Sequence, residues 1–329
     1  MRSFISKAKS SFRNLRIPTF ANWILLGLPL EAHLNRRNFL KTGSIAAGAL
    51  SLAGDAAVAA PAARRKLRKA VMYETISMKG TVLEKFQALK TAGFAGVEPM
   101  SHMTQSEVLD ALKASGLSAA SVCCATHWKN PVTDPSPAVR ATGRKGLEQA
   151  LHDAKAYGAT SVLFVPGVVN KQVSYDVAYK RSQEEIRKVL PVAQELGVKI
   201  AIENVWNHFL LSPLEAARYI DEFNSSAIGW HFDVGNVILY GWPEQWIRIL
   251  GKRIQKLHIK EFSRAKADKT GPSSGFDVKY LEGDDNWPAV MKALDEIGYD
   301  GWGIAEQPGA DSPAGLKDLS DRMDRIFAS

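Results

Sequence analysis

Cysteine is nearly absent. The 329 residues contain two, Cys123 and Cys124, and these are neighbours. Consecutive residues on a strand point to opposite faces, so an ordinary disulfide between them is not expected and a disulfide-scaffolded fold is excluded. Stability has to come from a packed core. Long apolar runs are also missing. Phe20–Leu30 is apolar but falls far short of the roughly 20 residues that a membrane-spanning helix needs, so no stable membrane span is expected. No glycine-rich phosphate loop follows the first strand signal, which removes the main mark of a dinucleotide-binding open sheet. A basic surface is lacking too, although the formal net charge is +8. Six of those eight net charges fall in residues 1–63. The remainder is close to neutral and offers no footprint for nucleic acid.

What is present begins with an address. Asn35-Arg36-Arg37-Asn38-Phe39-Leu40-Lys41 is a twin-arginine pattern, Thr42–Ala60 is small and weakly apolar, and Ala57-Val58-Ala59 is an A-x-A cleavage site. Together they read as an export signal of the twin-arginine type. Residues 1–60 are therefore expected to be a signal with an N-terminal extension, disordered or removed. The expected partner is the twin-arginine export machinery, and the expected location is periplasmic or extracellular. That route carries folded proteins, in keeping with a core closed before export. No cysteine follows the signal, which argues against a lipoprotein. An uncleaved anchor is the second reading, weakened by Asp55 within the apolar stretch. Residues 1–34 are long for the segment before an arginine pair, unless the true start lies downstream.

Residues 64–329 form one domain by size. Strand and helix signals alternate eight times along them. The apolar, β-branched runs are Lys69–Thr75, Gly96–Met100, Ala119–His127, Ser161–Gly167, Lys199–Val205, Gly229–Gly235, Ile254–Phe262 and Trp302–Gln307. Helical spacing appears at Thr81–Ala92, Thr104–Ser115, Pro137–Tyr157, Tyr175–Leu196, Pro213–Phe223, Pro243–Leu250, Trp287–Ile297 and Leu316–Phe327. Ala92-Gly93-Phe94-Ala95-Gly96 and Ile297-Gly298-Tyr299-Asp300-Gly301 repeat one device: a helix stops at Gly, and a second Gly leads into a strand. Eight βα units of this length predict an α/β fold of the (β/α)8 TIM-barrel type. A doubly wound open sheet is the runner-up.

Active sites in such barrels sit at the carboxyl ends of the strands. Four runs in succession end in groups that bind cations: Ile202-Glu203-Asn204, Phe232-Asp233-Val234, Leu257-His258-Ile259 and Ala305-Glu306-Gln307. Any one acid there could cap the following helix or pair with a lysine. Four at consecutive strand ends favour a joint role. Three carboxylates without a cation repel one another, and at least one would be protonated. A divalent metal relieves this, and oxygen donors with one imidazole suit Mn, Mg, Co, Fe or Zn.

The phrases Gly96-Val97-Glu98, Ile202-Glu203-Asn204, His231-Phe232-Asp233-Val234-Gly235-Asn236, His258-Ile259-Lys260 and Ala305-Glu306 give the chain a resemblance. It resembles the sugar phosphate isomerase/epimerase superfamily with the xylose isomerase-like TIM barrel, which also contains endonuclease IV. The resemblance implies one divalent metal, most often Mn, held by Glu203, Asp233, His258 and Glu306. It implies catalysis by Glu203 and Glu306 from opposite faces of a bound sugar, through proton abstraction beside a carbonyl and a metal-stabilised enediolate. It also places Arg264, six residues after His258, within reach of substrate. Two positions depart from the epimerase pattern: Asn236 stands where a His is usual, and Phe209 where a Glu is usual. The metal core is unaffected, but these departures leave the known ketose epimerase specificity open.

Glu98, at the end of the second run, is a candidate for a sugar hydroxyl or for support behind the metal. A salt bridge in the barrel mouth is the plainer alternative. His127 and His208 follow runs three and five, each as a substrate donor or a hydrogen-bonded structural His. Asn236 completes the substrate-binding candidates. Trp128, Trp206 and Phe209 lie on the same loops and suit the apolar faces of sugars, or simply roof the barrel. Residues 263–286 form a polar loop that reads as a lid or as an ordinary insertion. The function expected is a metal-dependent isomerase or epimerase of a small-molecule sugar or sugar derivative. The alternative is an exported lyase acting on keto-glycosides. A nuclease like endonuclease IV is opposed by Asn236, by export and by the near-neutral charge. A non-catalytic sugar-binding barrel is opposed by the intact four-ligand set.

Overall fold

The computed structural model describes residues 66–329, so the twin-arginine pattern and the A-x-A site lie outside the described residues. The strands are β1 (Arg68–Met72), β2 (Gly96–Glu98), β3 (Ser118–Ala119), β4 (Val122–Cys123), β5 (Ser161–Phe164), β6 (Lys199–Glu203), β7 (Ile228–Asp233), β8 (Ile254–Ile259) and β9 (Trp302–Ala305). All are parallel, in the order β3-β2-β1-β9-β8-β7-β6-β5-β4. This is a nearly closed TIM-type barrel. The two edge strands, β3 and β4, are halves of the third predicted run. One pairs with β2 and the other with β5. The break coincides with Ser121, whose hydroxyl donates to the buried carboxylate of Glu98. The run was expected to continue to His127. It stops at Cys123 instead, and His127 lies in the turn that follows.

The helices are α1 (Val82–Thr91), α2 (Gln105–Ser115), α3 (Pro137–Tyr157), α4 (Tyr175–Leu196), α5 (Pro213–Asp221), α6 (Gly235–Ile238), α7 (Pro243–Leu250), α8 (Arg264–Thr270), α9 (Trp287–Ile297) and α10 (Pro313–Phe327). Local chemistry sets their ends. Thr81 and Glu84 form a reciprocal capping box on α1. Gly116, Gly158 and Gly197 end α2, α3 and α4 in the left-handed conformation that only glycine adopts without penalty. The short helices α6 and α8 were not anticipated. Both lie in the loops above the barrel's carboxyl end.

Strand alternation divides the core in two. On β7, Trp230 and Phe232 face the helices and join the large outer core with Phe86, Leu151, Ile186 and Trp246. The side chains between them, His231 and Asp233, face the barrel axis. Inside, Ala70, Ala120, Trp302 and Ile304 plug the amino-terminal end. Met100, Cys123 and Leu163 form an apolar wall nearer the mouth. The plug is tight at Gly96, where a Cβ would stand 2.7 Å from the Ser118 carbonyl oxygen and from the Trp302 ring. Gly96→Ala is therefore expected to lower the unfolding free energy by about 1–3 kcal/mol. Urea unfolding of the purified protein measures it, and an unchanged midpoint would show that the plug yields without cost.

Candidate metal centre

Adjacent strands bring the four predicted groups together. Asp233 on β7 stands directly beside His258 on β8. A register shift between Trp230 and His231 sets this pairing, as bulges beside active sites often do. Glu203 ends β6, and Glu306 follows β9 immediately. His258 Nδ1 lies 2.9 Å from Glu203 Oε1, 2.9 Å from Glu306 Oε2 and 4.0 Å from Asp233 Oδ2. One ligand atom from each of the four lies within 4.8 Å of the others.

Two observations make this a fit for a metal. His258 Nδ1 and Glu306 Oε2 are buried and make no well-aligned hydrogen bond, only the close ion pairs with each other, Glu203 and Lys260, and crowded charges of this kind are where a cation fits. The donors are three carboxylates and one imidazole, a set suited to a hard or borderline divalent ion. The opposite ring nitrogen, His258 Nε2, sits 2.9 Å from Glu98 Oε2. Glu98 thus holds a proton on Nε2 and leaves Nδ1 for the cation, the usual carboxylate–histidine support of a metal ligand.

Burial penalises every charge here, and the neighbours decide which groups ionise. Burial pushes Asp233 and Glu203 above the ordinary carboxylate range. It pushes Glu306 the same way, but Lys260 and His258 outweigh it and hold that carboxyl well below the usual range. His258 is raised well above its ordinary value, because Glu98 and Glu306 overcome the cost of burial. Below the centre, His231 is fully buried with neither ring nitrogen hydrogen-bonded, edge-on to His258 at 4.3 Å between ring centroids. Burial first, and the nearby His258 and Lys256 second, keep it well below its ordinary value.

A cavity of about 230 Å³ opens above the centre. Glu203 and Glu306 line it, whereas Asp233 and His258 are covered. His127 and Asn236 line it as the sequence suggested, as do Trp128 and Trp206. His127 Nδ1 accepts the Val165 N–H at 3.3 Å, and burial lowers its pKa to about 4. Asn236 donates from Nδ2 to the Asn204 carbonyl at 3.0 Å. The remaining candidates are placed elsewhere. Glu98 is fully buried behind His258. The Arg264 guanidinium donates to the carbonyls of Ile238, at 2.9 Å, and Gly241, at 3.2 Å. His208 is exposed at φ 59°, and Phe209 packs against Tyr175 and Tyr179.

Lys260 was quoted within a motif but not singled out. Its Nζ lies 3.0 Å from Glu306 Oε2 and 3.4 Å from Asp233 Oδ2. The signal was available, since Lys260 follows His258 by two residues and so shares its face. Asn204 is a second omission. It accepts the Asp233 N–H at 3.0 Å and the Trp230 indole N–H at 3.0 Å, and donates to the Asp233 carbonyl at 2.7 Å. Residues 263–286 are not a free flap. Gln307 donates to the carbonyls of Phe276 and Val278, and Tyr280 donates to the Ile259 carbonyl. Phe276 reaches the cavity from this segment.

With this geometry in hand, comparisons place the chain among known proteins. Residues 86–326 match the family described as xylose isomerase-like TIM barrel. The chain belongs to that family. The L-ribulose-5-phosphate 3-epimerase UlaE of Escherichia coli O1:K1 is 23% identical over 250 residues, which are 70% of this chain and 85% of that protein. The uncharacterized protein MJ1311 of Methanocaldococcus jannaschii is 24% identical over 184 residues, 52% of this chain and 60% of that relative. Among solved structures, the 3-keto-D-glucoside 4-epimerase YcjR from E. coli superposes with a TM-score of 0.66 at 19% identity, covering 80% of this chain and all of that one (100%). A D-psicose 3-epimerase from Clostridium cellulolyticum H10 gives 0.67 at 14% identity, covering 79% and 98%. At these identities the structural likeness shows the fold alone.

Glu98→Gln should weaken divalent-metal affinity about 10- to 100-fold while the protein stays folded. Calorimetric titration of metal-free protein measures it, and an unchanged affinity would remove Glu98 from the centre.

Proposed function

We propose that this chain is a divalent-metal-dependent sugar isomerase or epimerase that moves a proton at the carbon beside a carbonyl. The observation that carries the reading is the division of labour among the four ligand candidates. Asp233 and His258 are sealed beneath the cavity, and Glu203 and Glu306 face into it. The sugar epimerases among the relatives support the same class of activity.

In this reading Glu203, Asp233, His258 and Glu306 hold one divalent ion, with Mn first and Mg, Co, Fe or Zn also compatible with the donors. Such an ion, when bound, polarises a carbonyl and its neighbouring hydroxyl and makes the adjacent C–H more acidic. Glu203 and Glu306 rise from β6 and β9, on either side of the two covered ligands, and so approach a bound molecule from different walls. Glutamate's extra methylene, compared with Asp233, lets each reach beyond the metal. One takes the proton and the other returns it. Lys260 keeps Glu306 charged between turnovers. Asn236 and the neutral imidazole of His127 offer hydrogen bonds to hydroxyls. Glu98 serves the site through His258 rather than through the substrate. Arg264 can contribute only by leaving the Ile238 and Gly241 carbonyls.

Metal-loaded protein incubated with ketose in D₂O should place deuterium at the carbon beside the carbonyl. Glu203→Gln and Glu306→Gln should each abolish turnover, and one should retain exchange at a single face. Chelation should stop the reaction and added metal restore it. Epimerised product without deuterium would refute the two-glutamate relay.

We also propose that the protein works outside the cytoplasm, delivered by the twin-arginine route. The support is Arg36-Arg37 and Ala57-Val58-Ala59. Changing both arginines to lysine should trap the precursor in the cytoplasm by fractionation. Undiminished secretion would sink the idea.

A further inference from the structure

The named relatives differ in one chemical respect. One acts on a sugar phosphate, and others carry names of unphosphorylated ketoses or a keto-glucoside. Identity at this level does not choose between them, but the lining of the cavity does. We infer that the site takes a neutral, unphosphorylated sugar, gripped by an aromatic mouth and lacking any anion subsite. This inference rests on the sugar-epimerase reading above and narrows its substrate class.

A terminal phosphate needs cationic side chains or free backbone N–H groups. Among the described residues lining the cavity, Lys260 is the only lysine or arginine. It stands at the metal end, held by Glu306 and Asp233 and over the Phe276 ring at 4.7 Å. A phosphate drawn there would displace the reacting carbons from Glu203 and Glu306. The lining residues Met72, Cys123, Leu163 and Trp128 carry no charge. The nearby Arg264 is committed to carbonyl oxygens. The short α6 begins at the rim, but its Asn236 N–H is donated to Asp233 Oδ1 at 2.8 Å. Glu203 and Glu306 in the lining add negative charge, which opposes a dianion.

What the lining does offer suits a neutral sugar. Trp206 and Phe276 lie 4.9 Å apart between ring centroids, and the Trp206 indole N–H donates to the Asn236 carbonyl at 2.9 Å. That bond fixes the indole at the rim. Trp128 packs edge-on to His127 at 5.6 Å and leaves 52% of its surface exposed. Such rings present flat apolar faces to the C–H face of a sugar. His127 accepts the Val165 N–H on Nδ1. Its neutral form therefore carries the proton on Nε2, a donor for a hydroxyl rather than a charge for a phosphate. The cavity, at about 230 Å³, falls below the roughly 300–1,000 Å³ of most ligand pockets, a size for one sugar unit.

The test is binding, followed by the intrinsic tryptophan fluorescence of the metal-loaded full chain. The probes are ketopentoses and ketohexoses, each paired with its terminal phosphate ester, and inorganic phosphate as competitor. Saturable binding of a free ketose at least about tenfold tighter than its ester is expected, with no competition by phosphate. Trp128→Ala should weaken ketose binding about threefold to tenfold. Its exposure keeps the fold out of question. An ester that binds as tightly as its ketose, competition by inorganic phosphate, or no saturable binding of any free ketose would overturn the inference. Proton exchange in D₂O separates this from the broader reading. Exchange of phosphate esters alone keeps the epimerase assignment and overturns the neutral-sugar site. Ketose binding without exchange does the reverse.

Discussion

Three carboxylates held within 4.8 Å of one another and of an imidazole nitrogen repel each other, and much of the barrel mouth serves to keep them there. Burial alone would drive protons onto all three acids. Lys260 prevents this at Glu306, and Asn204 fixes Asp233 through its backbone on both sides, by accepting the N–H and donating to the carbonyl. Glu98 holds His258 from behind, and Ser121 in turn holds Glu98. The cluster is thus one that could hold a cation. The protein's own positive charges, His258 and Lys260, both face Glu306 Oε2. A buried cluster of this many charges is expensive, so its presence at the barrel mouth points to function rather than stability.

The same economy governs the loops above. The segment after β8 carries a buried polar network around Glu261. This carboxylate accepts the Leu281 N–H, the Asp285 N–H and the Trp287 indole N–H. Gln307, one residue beyond Glu306, accepts the Glu261 N–H at 2.7 Å. Glu306 and the roof of the cavity are therefore linked through adjacent residues. A segment tied at Gln307, Glu261 and Tyr280 presents Phe276 in a fixed place, so the rim is pre-organised and little ordering is needed when a ligand enters.

The fold and the substrate have separate determinants. Strand ends set the geometry of the candidate centre, and the barrel itself is shared with solved structures at under 25% identity. The loops set what can be bound. Two loop positions that depart from the epimerase pattern have been put to structural use. Asn236 bridges the loop after β7 to the backbone at Asn204, and Phe209 joins the aromatic packing between α4 and α5. Arg264 likewise ties α8 to the loop after α6.

Much of this was legible in the chain itself. Period-two alternation ending in Glu203, Asp233, His258 and Glu306, with glycine-stopped helices between, determined the barrel and the four groups that its strand ends bring together, because both periodicities are local properties of the backbone. The same alternation marked Lys260 and His231 as inward-facing, although it assigned them no task. The sequence could not show that the third strand would break at Ser121 to meet Glu98, that Arg264 would turn away from the mouth, or that Trp206 and Phe276 would come together across it. Those partners lie 23 to 70 residues apart. Their meeting depends on how curved strands and loops of unequal length close around one axis, and no window along the chain encodes that closure.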